Sequence, residues 1–233
     1  MRWIGLVFSL ALMGCGATIE MPPPRQPAST APDPVPTRQK VAQFVEVVET
    51  VEPVAERECR ARTGPRTNCD FRIVVDDRPG QPANAFQTVD RTGRPILAFT
   101  VAMVGKVRNR DELAFVMSHE AAHHIAGHIP RQQQNAMAGA ILLGGLATLS
   151  GADADVVRSA TDLGASVAAR RYSKDYELEA DALGTIIAKR AGYDPVRGAA
   201  FFTQIPDPGD RFLGTHPPNA QRMETVRRVN ARL

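Results

Sequence analysis

A mainly helical α+β domain, with a small sheet confined to its N-terminal third, is the fold class that the 233-residue sequence predicts. Three observations carry this expectation. Most of the chain repeats apolar residues at spacings of three and four, as amphipathic helices do. Two short runs rich in β-branched and aromatic residues, 71–75 and 95–99, are bounded by Asp, Gly and Pro and read as strands. With 43% hydrophobic and 23% charged residues, the chain can bury one core and is short for two.

The first helix is expected over residues 38–62, where Val41, Phe44, Val45, Val48, Val51 and Val54 recur on one stripe. Residues 83–88 are a weaker strand candidate between the two stronger ones. Downstream the pattern is helical over 111 to about 128, 135–149, 153 to about 169, 173–190, 195–204 and 218 to the C-terminus. Ser173 opens the 173–190 helix, Lys189 and Arg190 occupy its last turn, and Gly192 and Pro195 lie beyond it. No internal repeat is present.

The ends and the charge balance narrow the function. Arg2, an apolar run over 3–13 and the small residues around Cys15 fit an export signal too short to span a bilayer as a mature helix. Seven of the 18 prolines fall between Pro22 and Pro36, a composition that favours an extended tether over a packed core. An export signal, cut near Ala17 or left as an uncleaved anchor, is therefore expected ahead of a Pro-rich tether that ends at residue 37 and a folded domain over 38–233. The formal charge of +3 offers no basic excess for a nucleic-acid partner. If the chain is exported, Cys59 and Cys69 would meet an oxidising compartment and pair as a disulfide; otherwise they are two buried thiols.

The chemistry concentrates in one place, because four of the five histidines fall at 119, 123, 124 and 128. Ser118-His119-Glu120-Ala121-Ala122-His123 contains H-E-x-x-H within a helical pattern. Residues four apart share a helix face, so His119 and His123 can both turn a ring nitrogen to one Zn²⁺ while Glu120 lies beside the ion. A hydrolytic zinc site needs a third protein ligand and an open fourth position. The extended form H-E-x-x-H-x-x-G-x-x-H fails here, since Ala126 and Ile129 stand where glycine and the third histidine belong. Fifty-four residues beyond His123, Tyr176-Glu177-Leu178-Glu179-Ala180-Asp181 places Glu177 and Asp181 on one helix face. Glu177 is expected as the third ligand and Asp181 as hydrogen-bond partner to the outer nitrogen of a ligand histidine. Glu179 points away from that face, and His124 and His128 read as packing or helix-surface residues.

H-E-x-x-H, then E-x-x-A-D on a later helix, then Thr215-His216-Pro217-Pro218 with Arg222, resembles the zinc metallopeptidases related to the CaaX prenyl endopeptidase and the bacterial heat-shock protease HtpX. The resemblance covers roughly residues 71–233, includes His128 nine after His119, and rests on three separated motifs in the right order. It implies a zincin-like fold of the gluzincin type, one Zn²⁺ per chain, His119, His123 and Glu177 as ligands, Glu120 as catalytic base and Asp181 in support. It gives His216 a place beside the metal, either stabilising an oxyanion or blocking the ion. It also implies a substrate-side edge strand at Asn84-Ala85-Phe86, although Gln87-Thr88-Val89-Asp90-Arg91 replaces the glycine-rich turn usual after it. Leu12-Met13-Gly14-Cys15 resembles the bacterial lipoprotein signal, which implies residues 1–14 as the signal peptide, Cys15 as the lipidated residue and 15–37 as the tether. Gly16 rather than Asp after that cysteine implies sorting to the periplasmic side of the outer membrane.

Residues 132–152 carry no charge, and about fourteen clearly apolar residues fall short of the ~20 needed to cross a bilayer. A buried helix packed over the site is the first expectation, beside a membrane-dipping hairpin or a regulatory plug. The expected function is a zinc endopeptidase acting on misfolded or envelope polypeptides, tethered by lipid. The alternatives are a non-catalytic zinc-binding chaperone or assembly factor for outer-membrane proteins and a metal-stabilised interaction module.

Overall fold

The computed structural model of the chain describes residues 35–171, 173–207 and 217–233. Helix α1, Arg38–Arg62, begins where the Thr37 hydroxyl accepts the Lys40 N–H at 3.3 Å. Its buried stripe is Phe44, Val47, Val51, Val54, Ala55 and Cys59, whereas Val41 and Val45 face outward. Cys59, near its end, is joined by a disulfide to Cys69, which leads into the sheet.

That sheet has three strands, β1 (Arg72–Asp76), β2 (Ala85–Val89) and β3 (Pro95–Thr100), in the order β1-β3-β2. β1 runs parallel to β3, and β2 antiparallel to it with Ala85 opposite Phe99 and Val89 opposite Pro95. Central β3 is the most buried strand, and β2 pairs on one side only. The β2–β3 turn is closed by Asp90, whose Oδ1 accepts the backbone N–H groups of Thr92 at 2.8 Å and Arg94 at 3.0 Å.

β3 passes directly into a short helix that its apolar sequence did not announce, α2 (Val101–Lys106), capped by the Thr100 hydroxyl. Helix α3, Arg110–Ile125, follows, with Asn109 as N-cap accepting the Glu112 N–H at 3.0 Å. Leu113 to His119 are all buried, as are Ala121 and Ala122, so α3 is apolar nearly all round and forms the centre of the domain. α1 and the sheet lie against it, as do α6 (Ser173–Arg190) and α7 (Pro195–Ala199). The expected 195–204 helix is split, its second half being a 3₁₀ turn over Ala200–Gln204, and α8 (Asn219–Asn230) is the last helix.

The expected helix to about residue 128 instead ends at Ile125. Gly127, at φ 66° and ψ 36°, turns the chain in the left-handed region, and α4 (His128–Leu149) starts immediately. α4 pairs with α5 (Ala154–Arg171) as an antiparallel hairpin. The expectation that residues 132–152 are buried over the site is corrected here. Only His128 and Gly144 of α4 are buried, while Ile141 is 69% and Leu149 86% exposed. The physical reason lies in the small residues. A Cβ at Gly139 would collide with the backbone of Gly164, and one at Gly144 with the Thr161 hydroxyl, so the inner seam is taken by close backbone approach and the larger side chains remain outside. Among the described residues, no helix is long and apolar enough to cross a membrane.

Candidate metal centre

One turn of α3 separates His119 from His123, and their Nε2 atoms lie 3.0 Å apart. α6 crosses α3 at this level because Gly184 lets the backbones meet: a Cβ there would sit 3.0 Å from His119 N and Cα. Glu177 and Asp181 lie two turns and one turn before Gly184 on the same face of α6. Glu177 accordingly brings its carboxylate to 3.5 Å from His119 Nε2 and 3.4 Å from His123 Nε2. Three bonds of 2.0–2.1 Å at tetrahedral angles place donor atoms about 3.3 Å apart, so the observed spacing suits a zinc-sized ion. Among the described residues, His119, His123 and Glu177 are the group of three able to hold a metal.

Each histidine is gripped from behind. His119 Nδ1 lies 3.0 Å from Asp181 Oδ1, and Arg222 of α8 forks onto both Asp181 oxygens at 2.7 Å. Asp181 and Arg222 are both buried, and the guanidinium also stacks 3.8 Å over the Phe202 ring. His123 Nδ1 lies 2.8 Å from His128 Nδ1, while His128 Nε2 faces Glu179 Oε2 at 3.2 Å. Glu179 in turn accepts from Arg131 at 2.7 Å. His128, expected as a packing or helix-surface residue, is buried against Tyr176 and meets His123, and Glu179, expected to point away from the donor face, meets His128. On one continuous helix His128 would be turned about 140° from His123, and it is the break at Gly127 that returns it. Ala126-Gly127-His128-Ile129-Pro130 carries the helix-stop and helix-start chemistry that could have revealed this. His124 does serve packing, its Nε2 meeting the Asn68 carbonyl at 2.7 Å.

Without a metal, His119 holds a proton at neutral pH. Burial opposes charge on His119, but hydrogen bonds to Asp181 and Glu177 outweigh it and push the group up to about 10. Burial raises Glu120 above the usual carboxylate range, against the lowering influence of His119 and His123. His128, desolvated and beside His123, is lowered to about 4 and is neutral at pH 7.

Glu120 stands outside the three-donor group and lines a cleft of about 470 Å³ with His119, His123 and Glu177. Asn84, Ala85 and Phe86 form part of one wall, although Asn84 precedes β2 and its backbone is engaged by Thr100. Phe115, Val116, Phe201, Phe202 and Ile205 are among the apolar residues that line the rest. His216 and Cys15 lie outside the described residues.

Two comparisons bear on this site. A Vibrio cholerae protein named as a beta-barrel assembly-enhancing protease is 31% identical to the chain over 121 residues. That match covers 48% of this chain and 24% of the relative's length. Residues 42–230 match the profile described as Peptidase family M48, a span that contains α3, α6, α8 and the whole donor group. Because that match takes in most of its length, the chain belongs to peptidase family M48.

Proposed function

We propose that this chain is a zinc-dependent endopeptidase of the CaaX prenyl endopeptidase and HtpX-related kind, with His119, His123 and Glu177 as ligands. The observation that carries the reading is the convergence of those three donors in a cleft that also holds a separate carboxylate, Glu120, and one face of an edge strand. A zinc ion so held supplies Lewis acidity, polarising a carbonyl and making water easier to deprotonate. Glu120 takes the proton of the attacking water and returns it to the amine leaving group. Asp181 with Arg222 fixes the ring of His119. The side of β2 away from β3 offers backbone hydrogen bonds to an extended peptide, whose apolar side chains meet Phe115, Phe201, Phe202 and Ile205. His216 is proposed to enter the same cleft, as oxyanion donor or as a plug on the metal.

In the same reading residues 1–14 are a lipoprotein signal, Cys15 carries the lipid, 15–37 form the tether and 38–233 the peptidase domain, on the periplasmic side of the outer membrane. Envelope polypeptides are the proposed substrates, a choice supported by the name of the Vibrio cholerae relative, a beta-barrel assembly-enhancing protease. Casein cleavage by wild type and Glu120→Gln, with bound metal quantified, tests the activity. Wild type should cleave; Glu120→Gln should keep one zinc and lose about 10²-fold or more in kcat. Equal function of both proteins in client folding, with no cleavage by either, would instead establish the chaperone reading.

A further inference from the structure

The two candidate ligand histidines are supported by different partners, and one partner is a third histidine. If His123 gives Nε2 to a metal, its remaining ring proton sits on Nδ1, and that atom lies 2.8 Å from Nδ1 of His128. One nitrogen of such a pair must donate and the other accept, so His128 presents a bare Nδ1 and carries its proton on Nε2. That Nε2 faces Oε2 of the Glu179 carboxylate, the same oxygen that accepts from Arg131. The ring has little freedom to do otherwise. Tyr176 stacks on it at 4.6 Å between centroids and 14° between planes, and Asn135 donates to the Tyr176 hydroxyl at 2.6 Å. His128 is itself buried, so an unmatched ring nitrogen would be costly.

We propose that His128 is a positioning residue for the metal centre, accepting the Nδ1–H of His123 and donating its Nε2–H to Glu179, so that His123 keeps its Nε2 aimed at the ion. The proposal rests on the zinc reading above and adds a residue outside the H-E-x-x-H and E-x-x-A-D motifs. It gives both ligand histidines equivalent support: Asp181 and Arg222 behind His119, and His128, Glu179 and Arg131 behind His123. His128 is not a fourth ligand, because its Nδ1 is committed to the outer nitrogen of His123, on the far side of that ring from the donor group.

The test compares His128→Phe, which keeps a ring against Tyr176 but cannot accept, with His128→Asn, whose Oδ1 can take the place of the acceptor Nδ1. Zinc affinity is measured by competition with a chromogenic chelator, kcat and KM on one peptide at saturating zinc, and Tm on the metal-free proteins. His128→Phe should bind zinc about ten- to a hundredfold more weakly and lose kcat at unchanged KM. His128→Asn should recover affinity to within about threefold of wild type. The proposal is overturned if folded His128→Phe binds zinc within about twofold of wild type, or if His128→Asn is as weak as His128→Phe. Should His128→Phe not fold, ¹⁵N ring spectra of the zinc-loaded wild type decide. The Nε2–H tautomer at His128 supports the proposal, and the Nδ1–H tautomer contradicts it. A wild-type chain that binds no zinc would instead overturn the functional reading itself.

Discussion

His119 is a candidate ligand whose proton the neighbouring carboxylates hold strongly. Its imidazolium sits between Asp181 and Glu177, and those contacts raise its pKa from 6.5 to about 10 despite burial. A raised folded-state pKa stabilises the metal-free protein most fully below about 6.5, and that contribution disappears as pH rises through about 10. The same proton must leave before Nε2 can bind a cation. Zinc binding at pH 7–9 should therefore release a proton from this residue and tighten about tenfold per pH unit. Calorimetry in buffers of different ionisation enthalpy measures the release directly. An affinity that does not change between pH 7 and 9 would mean His119 is already neutral. The grouping of His119, His123 and Glu177 was legible because both motifs are local, each a pair four apart on one helix. Arg222 was visible only as a letter in a motif, since its contact with Asp181 spans 41 positions and depends on α8 lying against α6.

At the scale of elements, helical segments were readable wherever one face alone is buried, as in α1 and α6. Reading failed where periodicity loses its contrast. α3 is buried nearly all round, so its pattern ran on without marking the stop at Ile125, and α2 is six residues long between a strand and a turn. The α4–α5 hairpin shows a different limit: a charge-free stretch states that no charge is present, not that the stretch is covered. Its Gly139–Gly164 seam makes a prediction. Gly139→Leu cannot be seated without parting the helices, because even a Cβ meets the Gly164 backbone and Ala168. This variant should be cut by trypsin within α5, at Arg158, under conditions where wild type resists, while zinc affinity stays unchanged because His128, Arg131 and Asn135 lie in the earlier turns of α4. Unchanged resistance would show that the hairpin seam accommodates the side chain.

At the scale of the molecule, the centre is made by helices distant in sequence, α3, α6 and α8, with α1, the sheet, α4 and α7 also packed on α3. The disulfide between Cys59 and Cys69 pins α1 to the start of the sheet and keeps Asn68 against His124 on the metal-bearing helix. Closing a loop ten positions long should stabilise the fold by about 3 kcal/mol, read as the difference between denaturant curves with and without reductant. Superimposable curves would show that the bond constrains nothing in the unfolded chain. The α+β class, with its helices outnumbering three strands, follows from local pattern. The parallel pairing of β1 with β3 does not, because it joins residues 24 positions apart, Arg72 opposite Ile96, across the intervening β2. The central claim is that His119, His123 and Glu177 hold a metal while Glu120 stays free to move protons. Anomalous diffraction at the zinc edge from crystals of the zinc-loaded chain tests it most directly. One peak is expected at about 2.0–2.2 Å from Nε2 of both histidines and from a Glu177 oxygen, with Glu120 unligated. A peak ligated by Glu120 or His128, or no peak between α3 and α6, would contradict it.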